Sequence, residues 1–138
     1  MKIESIRIKN FRMFRDVTIN NLPNCCIFVG ANGTGKTSLF ELFRLLRDAL
    51  THDIEHALAK RGGFKEVLSR GTSEPIELEL KFRGLKSTSS LVTYWLVIDR
   101  VKNRAIIKRE VLKYRRGQRS GGRRHFLDFS LGWDKCSS

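Results

Sequence analysis

The chain has 138 residues, the length of a single domain, and its 41% hydrophobic and 30% charged composition is that of a globular chain with a core of its own. No apolar run approaches the ~20 residues of a membrane-crossing helix, and the alternating start Met1-Lys2-Ile3-Glu4-Ser5 lacks a secretory apolar stretch, so a cytoplasmic location without membrane contact is expected. The net charge is +13, and residues 100–138 hold 12 Lys/Arg against Glu110, Asp128 and Asp134, a surface that attracts polyanions unless acidic sequence elsewhere or a partner chain compensates it.

In chain order, residues 2–9 alternate, with Ile6 and Ile8 on one face and Arg7 and Lys9 on the other, which is a strand pattern. Val17-Thr18-Ile19 reads as a second strand paired with the first, and residues 20–24 carry turn chemistry. The run Cys25-Cys26-Ile27-Phe28-Val29 is continuously apolar, which predicts a strand buried on both faces. Adjacent cysteines on such a strand point to opposite faces, and with Cys136 remote there is no metal-ligand spacing, so they read as buried thiols. From Lys36 the period becomes helical, with Leu39, Leu42, Phe43, Leu46 and Leu50 recurring over about four turns. Residues 51–61 continue or restart a helix until Gly62-Gly63 stops it. Ile76, Leu78, Leu80 and Phe82 alternate with Glu77, Glu79 and Lys81 as a half-buried strand, and residues 91–99 and 105–114 form a hairpin. Residues 115–124, with five arginines and three glycines, read as a loop, and residues 126–131 as a last short strand.

Between the apolar run and the amphipathic helix lies Gly30-Ala31-Asn32-Gly33-Thr34-Gly35-Lys36-Thr37, which matches the phosphate-loop pattern of Gly, four residues, then Gly-Lys-Ser/Thr. Glycines at 30, 33 and 35 let successive amides converge on a polyphosphate, and the helix beginning near Lys36 adds its positive end. Lys36 is expected to reach the β- and γ-phosphates of ATP or GTP, Thr37 to coordinate Mg²⁺, and Ser38 to complete the contact set. A glycine-rich turn serving only the fold would need neither Lys36 nor Thr37.

The strand with Ile6 and Ile8, then Asn10-Phe11-Arg12 and Phe14, a second strand, and the asparagine-containing loop at 30–37 together resemble the start of the SMC/RecF branch of the ABC-type AAA ATPases. The resemblance covers residues 1–50 best and weakens beyond Gly63. It implies an α/β P-loop NTPase fold, the N-terminal lobe of an ABC-type head with an antiparallel β side sheet. It further implies Mg-ATP as ligand, a homodimer or higher oligomer joined through ATPase heads, Arg12 approaching the nucleotide and the Asn32 amide near the γ-phosphate. The chain then divides into residues 1–63 with the strands, loop and helix, a variable β region at 64–114, and a basic loop and tail at 115–138, one partial head in all.

A complete head also needs a signature segment, a Walker B strand ending in Asp-Glu and a switch histidine. Leu68-Ser69-Arg70-Gly71 imitates the first, but the strand period beginning at Ile76 leaves no room for its helix. Leu96-Val97-Ile98-Asp99 imitates the second, but Arg100 stands where a water-orienting glutamate is needed, and a hairpin suits the segment better. His52, His56 and His125 lack a switch context, and no catalytic residue is assigned. The leading expectation is an ATPase that hydrolyses ATP only with further sequence or a partner, in an assembly that acts on DNA or controls an effector protein, as in anti-phage defence. The competing readings are a small P-loop kinase, with residues 115–124 as a lid, and a non-catalytic nucleotide-sensing or DNA-binding module.

Overall fold

The computed structural model describes residues 2–84, 90–115 and 126–131, with side chains as far as Lys113. Strand β1 (Lys2–Phe11) turns into β2 (Phe14–Asn20); helices α1 (Lys36–Thr51), α2 (Ile54–Ala59) and α3 (Phe64–Val67) follow; then come β3 (Ile76–Arg83), β4 (Val92–Val101), β5 (Arg104–Arg115) and β6 (Phe126–Leu131). The strands form one sheet in the order β2-β1-β3-β4-β5-β6, with every neighbouring pair antiparallel. The tight β4–β5 turn is made by Lys102 and Asn103, both at positive φ (46° and 69°), the conformation that lets a two-residue connection follow the sheet's twist.

The period-2 strands sort their side chains by face. Ile6 and Ile8 of β1, Ile76 and Leu78 of β3, and Leu96 and Ile98 of β4 lie in register and are buried. The helices cover this face with Leu39, Leu42 and Leu45 of α1, Ile54, Ala57 and Leu58 of α2, and Phe64 and Val67 of α3, in one continuous core. On the other face Arg7 makes a two-armed ion pair with Asp16 at 3.0 and 2.9 Å, and Lys9 lies 3.5 Å from Glu77. The hydrogen bonds from Arg7 hold the Asp16 carboxyl below its usual range.

The β1–β2 turn is fixed from a third direction. Arg12 N–H donates to Val67 O at 2.7 Å, Ser69 N–H donates to Asn10 O at 3.0 Å, and Phe11 bridges Leu68. Helix α3 and the segment after it therefore clamp this turn. The 3.6-residue pattern is too short there, four residues in all, to stand out in the sequence.

One expected element is corrected. Residues 25–29 do not form the doubly buried strand that their apolar composition predicts: Ile27 and Val29 are 86% and 90% exposed, Cys25 is exposed and Cys26 half-buried, so the thiols are not core residues either. The physical reason is pairing. A strand is fixed by a ladder partner, and among the described residues all six strands pair with one another while none lies beside residues 25–29. The other expected strands and the two longer helices form where the periodicity puts them.

Candidate nucleotide-binding site

The glycine-rich loop at 30–35 runs directly into α1, and its geometry follows from three contacts. Gly35 caps α1 at φ +95°, a left-handed conformation, and a Cβ there would fall 2.9 Å from Cε1 of Phe14. Phe14, at the start of β2, thus backs the loop, and only glycine fits between ring and helix. A Cβ on Gly30 would meet Thr34 Oγ1 at 2.8 Å, because that hydroxyl turns inward to donate to Ala31 O at 2.8 Å. The Lys36 ammonium closes the curl by donating to the carbonyls of Gly30 and Ala31 and lying 3.3 Å from Thr34 Oγ1.

Outside that curl is a cleft of about 170 Å³ lined by Met13, Asn32, Gly33, Gly35, Lys36, Thr37 and Ser38. Its chemistry is one-sided. It offers one ammonium, two hydroxyls and the first amides of a sixteen-residue helix whose cap supplies no side-chain acceptor and whose first turn holds no acid. Among the described residues, no carboxylate lines it. Small-molecule sites typically enclose ~300–1,000 Å³, so this cleft is sized for a phosphate chain rather than for a whole nucleotide. Ser38 is buried and Thr37 exposed at the mouth.

Of the residues singled out in the sequence, the fold brings together Asn32, Gly33, Gly35, Lys36, Thr37 and Ser38 at the cleft, with Gly30, Ala31 and Thr34 forming the curl behind it. Arg12 is not among the lining residues. It sits in the clamped turn at φ +48°, half-buried, with its Nε buried and without a hydrogen-bond partner among the described residues. Its neighbour Met13, 57% exposed, lines the cleft instead. The signal for Met13 and Phe14 was their place in the segment from Asn10 to Phe14, although nothing in the sequence gives their direction.

The two imitation motifs are both engaged in contacts within the fold. Ser69 is buried, and its hydroxyl donates to Phe14 O at 3.0 Å, tying the chain that enters β3 to the floor of the loop. Asp99 lies in the β4–β5 hairpin, where it accepts from Lys108 at 2.9 Å and from the Arg100 N–H at 2.8 Å. Burial pushes its carboxyl up, but those bonds outweigh burial and hold it below the usual range. His52 and His56 are exposed, with ring centroids 4.7 Å apart at the α1–α2 junction. His125 and the basic stretch 116–124 lie outside the described residues. No helix among the described residues is long and apolar enough to cross a membrane.

Comparison with known proteins places this arrangement. A family model described as an AAA ATPase domain matches residues 1–124. The chain is 29% identical to the DNA replication and repair protein RecF of Lactococcus lactis subsp. cremoris over 96% of its length and 39% of the relative's, and 29% identical to RecF of Listeria innocua over 96% and 38%. It is 35% identical to RecF of Heliobacterium modesticaldum over 61% of its length and 24% of the relative's. The chain therefore spans less than two fifths of the curated relatives it matches. With the glycine-rich loop at residues 30–35 running into α1 and the family match over most of its length, the chain belongs to the RecF/SMC-like AAA ATPases, a P-loop NTPase family of α/β class.

Proposed function

We propose that this chain is the nucleotide-holding N-terminal lobe of an ABC-type ATPase head. Its loop from Gly30 to Thr37, with Ser38, takes the triphosphate of ATP. The observation that carries this reading is Lys36: its ammonium is folded onto the Gly30 and Ala31 carbonyls inside a glycine curl at the uncapped start of α1. A phosphate oxygen can replace those acceptors, and the amides of residues 33–38 supply further donors. Thr37, exposed at the mouth, is the residue that would hold Mg²⁺, which would neutralise phosphate charge. The chain divides into a loop-bearing portion at residues 1–63, the β region at 64–114 and the basic segment at 115–138.

Hydrolysis requires more than this chain. In-line attack needs a group that positions water and charge that covers the γ-phosphate from the far side. Asp99 is engaged by Lys108 and followed by Arg100, and Ser69 is spent on Phe14 O. Among the described residues, no carboxylate lines the cleft and the apolar run 25–29 has no ladder partner. Both features support a head completed by further sequence or a partner chain, with heads paired across ATP in a homodimer or higher oligomer. The relatives' name, DNA replication and repair protein, supports an assembly that acts on DNA, with an effector under its control as the other role for the same head.

Calorimetric titration of the chain with Mg-ATP tests the site. Lys36→Ala is expected to lose about 1.5–3 kcal/mol of binding, the worth of charge-assisted hydrogen bonds. Equal affinity in both proteins would remove the assignment.

A further inference from the structure

Helix α1 carries a second charged face, beyond the loop at its start. Glu41, Arg44 and Asp48 recur along one stripe of the helix with Arg47 beside it, and Lys60 and Arg61, just after α2, close the other side of an open cleft of about 520 Å³. The charges in this cleft are sorted by depth. Arg61 is at the bottom, its side chain 7% exposed, donating to Asp48 Oδ2 at 2.8 Å and to Ala57 O at 2.6 Å, with Nε 3.3 Å from Glu41 Oε2. The hydrogen bond from Arg61 holds Asp48 below the usual carboxylate range. Both carboxylates are thus turned inward onto one buried guanidinium.

What remains at the mouth is cationic. Arg44 and Arg47 are 63% and 74% exposed, each touching one of those carboxylates at 3.0 and 3.1 Å and keeping most of its donors for solvent. Lys60 is exposed beside them. Among the six side chains, four cations face two carboxylates. A guanidinium fork matches a phosphate's oxygens, and i,i+3 spacing sets the Cβ atoms of Arg44 and Arg47 about 5–6 Å apart, so that the two long side chains can reach neighbouring phosphates on one strand.

We propose that this cleft docks the phosphate backbone of nucleic acid, with Arg44, Arg47 and Lys60 as the contacting groups. An extended polyanion fits better than a small anion because the cations are spread over α1 and the segment just after α2, around an open mouth, rather than converging on one point. A contact to phosphates carries no sequence information, so binding without sequence preference is expected. It rests on the DNA-acting reading above and names the face that performs it. The cleft and the loop share α1 but sit apart: Arg44 is eight residues after Lys36, about 12 Å along the axis.

The test is fluorescence anisotropy of a labelled mixed-sequence DNA duplex with the full chain across a salt series. Neutralising the mouth with Arg44→Gln, Arg47→Gln and Lys60→Gln together is expected to weaken binding at least on the order of tenfold at low salt. It should also reduce the slope of log affinity against log salt by about 2–3, close to 0.9 for each phosphate that is no longer neutralised. Arg44→Lys with Arg47→Lys, which keep the charge, should retain the slope, and Mg-ATP affinity should be unchanged in every variant, reporting an intact α1. An unaltered slope in the neutralised chain would overturn the proposal, as would abolition of binding by Arg115, Arg116, Arg123 and Arg124→Glu alone. If the wild type binds no duplex, the nucleic-acid reading fails as a whole. If polyglutamate of equal charge competes as well as DNA, the face is for an acidic protein instead.

Discussion

The sheet-and-helix body and the segment that carries the loop are built on opposite terms. In the body, each of the six strands has a ladder partner, and the apolar faces of the sheet and of three helices close on one core. In residues 25–30, a comparably apolar stretch runs exposed into the glycine curl. The difference teaches that, among the described residues, the site is held from one side only. Phe14 at the start of β2, Met13 in the β1–β2 turn and the first turn of α1 border the loop, while the apolar run leading into it pairs with none of the described strands. Stability and ligand holding are therefore separable by mutation.

The largest effect belongs to the body. Phe11 is fully buried where β1, α3 and the β1–β2 turn meet, and Phe11→Ala is expected to cost about 3–5 kcal/mol in denaturant unfolding. A loss below about 1 kcal/mol would mean that this junction is not part of the cooperative core. Acid comes next. Asp48, Asp16 and Asp99 all have carboxyls held below their usual range, by Arg61, by Arg7, and, against burial, by Lys108 and Arg100. A depressed folded value means that the stability is present above the unfolded value of ~3.9 and is lost as pH falls through the folded one. Unfolding free energy should therefore drop below about pH 4, and Asp48→Asn should flatten that limb. A pH profile identical in the two proteins would show that the Arg61 cluster contributes nothing. The smallest effect sharpens the contrast. Ile27→Ser and Val29→Ser remove apolar side chains that touch solvent, so each should change stability within about 0.5 kcal/mol. A core-sized loss would mean that the run is paired in the chain as it stands.

That contrast also explains what the sequence could disclose. Strands β1 and β3 were legible because apolar and charged residues alternate along them, β4 and β5 because two strand-like runs flank residues 100–104, and α1 because Leu39, Leu42 and Leu46 recur at helical spacing. The loop was legible because its glycines, Lys36 and Thr37 have a chemical reason for their order. Residues 25–29 misled because composition records the burial a segment requires, not the partner that provides it. Met13 was missed for a related reason. Its direction is set by the Arg12 amide bonded to Val67 O and the Ser69 hydroxyl bonded to Phe14 O, contacts more than fifty residues apart in the chain. The clustering of Arg44, Arg47, Lys60 and Arg61 likewise depends on how α2 packs on α1.

The central claim, that this chain holds ATP without the means to hydrolyse it, is tested most directly by steady-state phosphate release from the purified chain at saturating Mg-ATP and rising protein concentration. The account predicts release at background at every concentration, with nucleotide binding intact in the same sample. Turnover that grows with concentration and disappears in Asp99→Asn or Ser69→Arg would contradict it, because the aspartate paired with Lys108 and the serine bonded to Phe14 O would then be working components of the reaction.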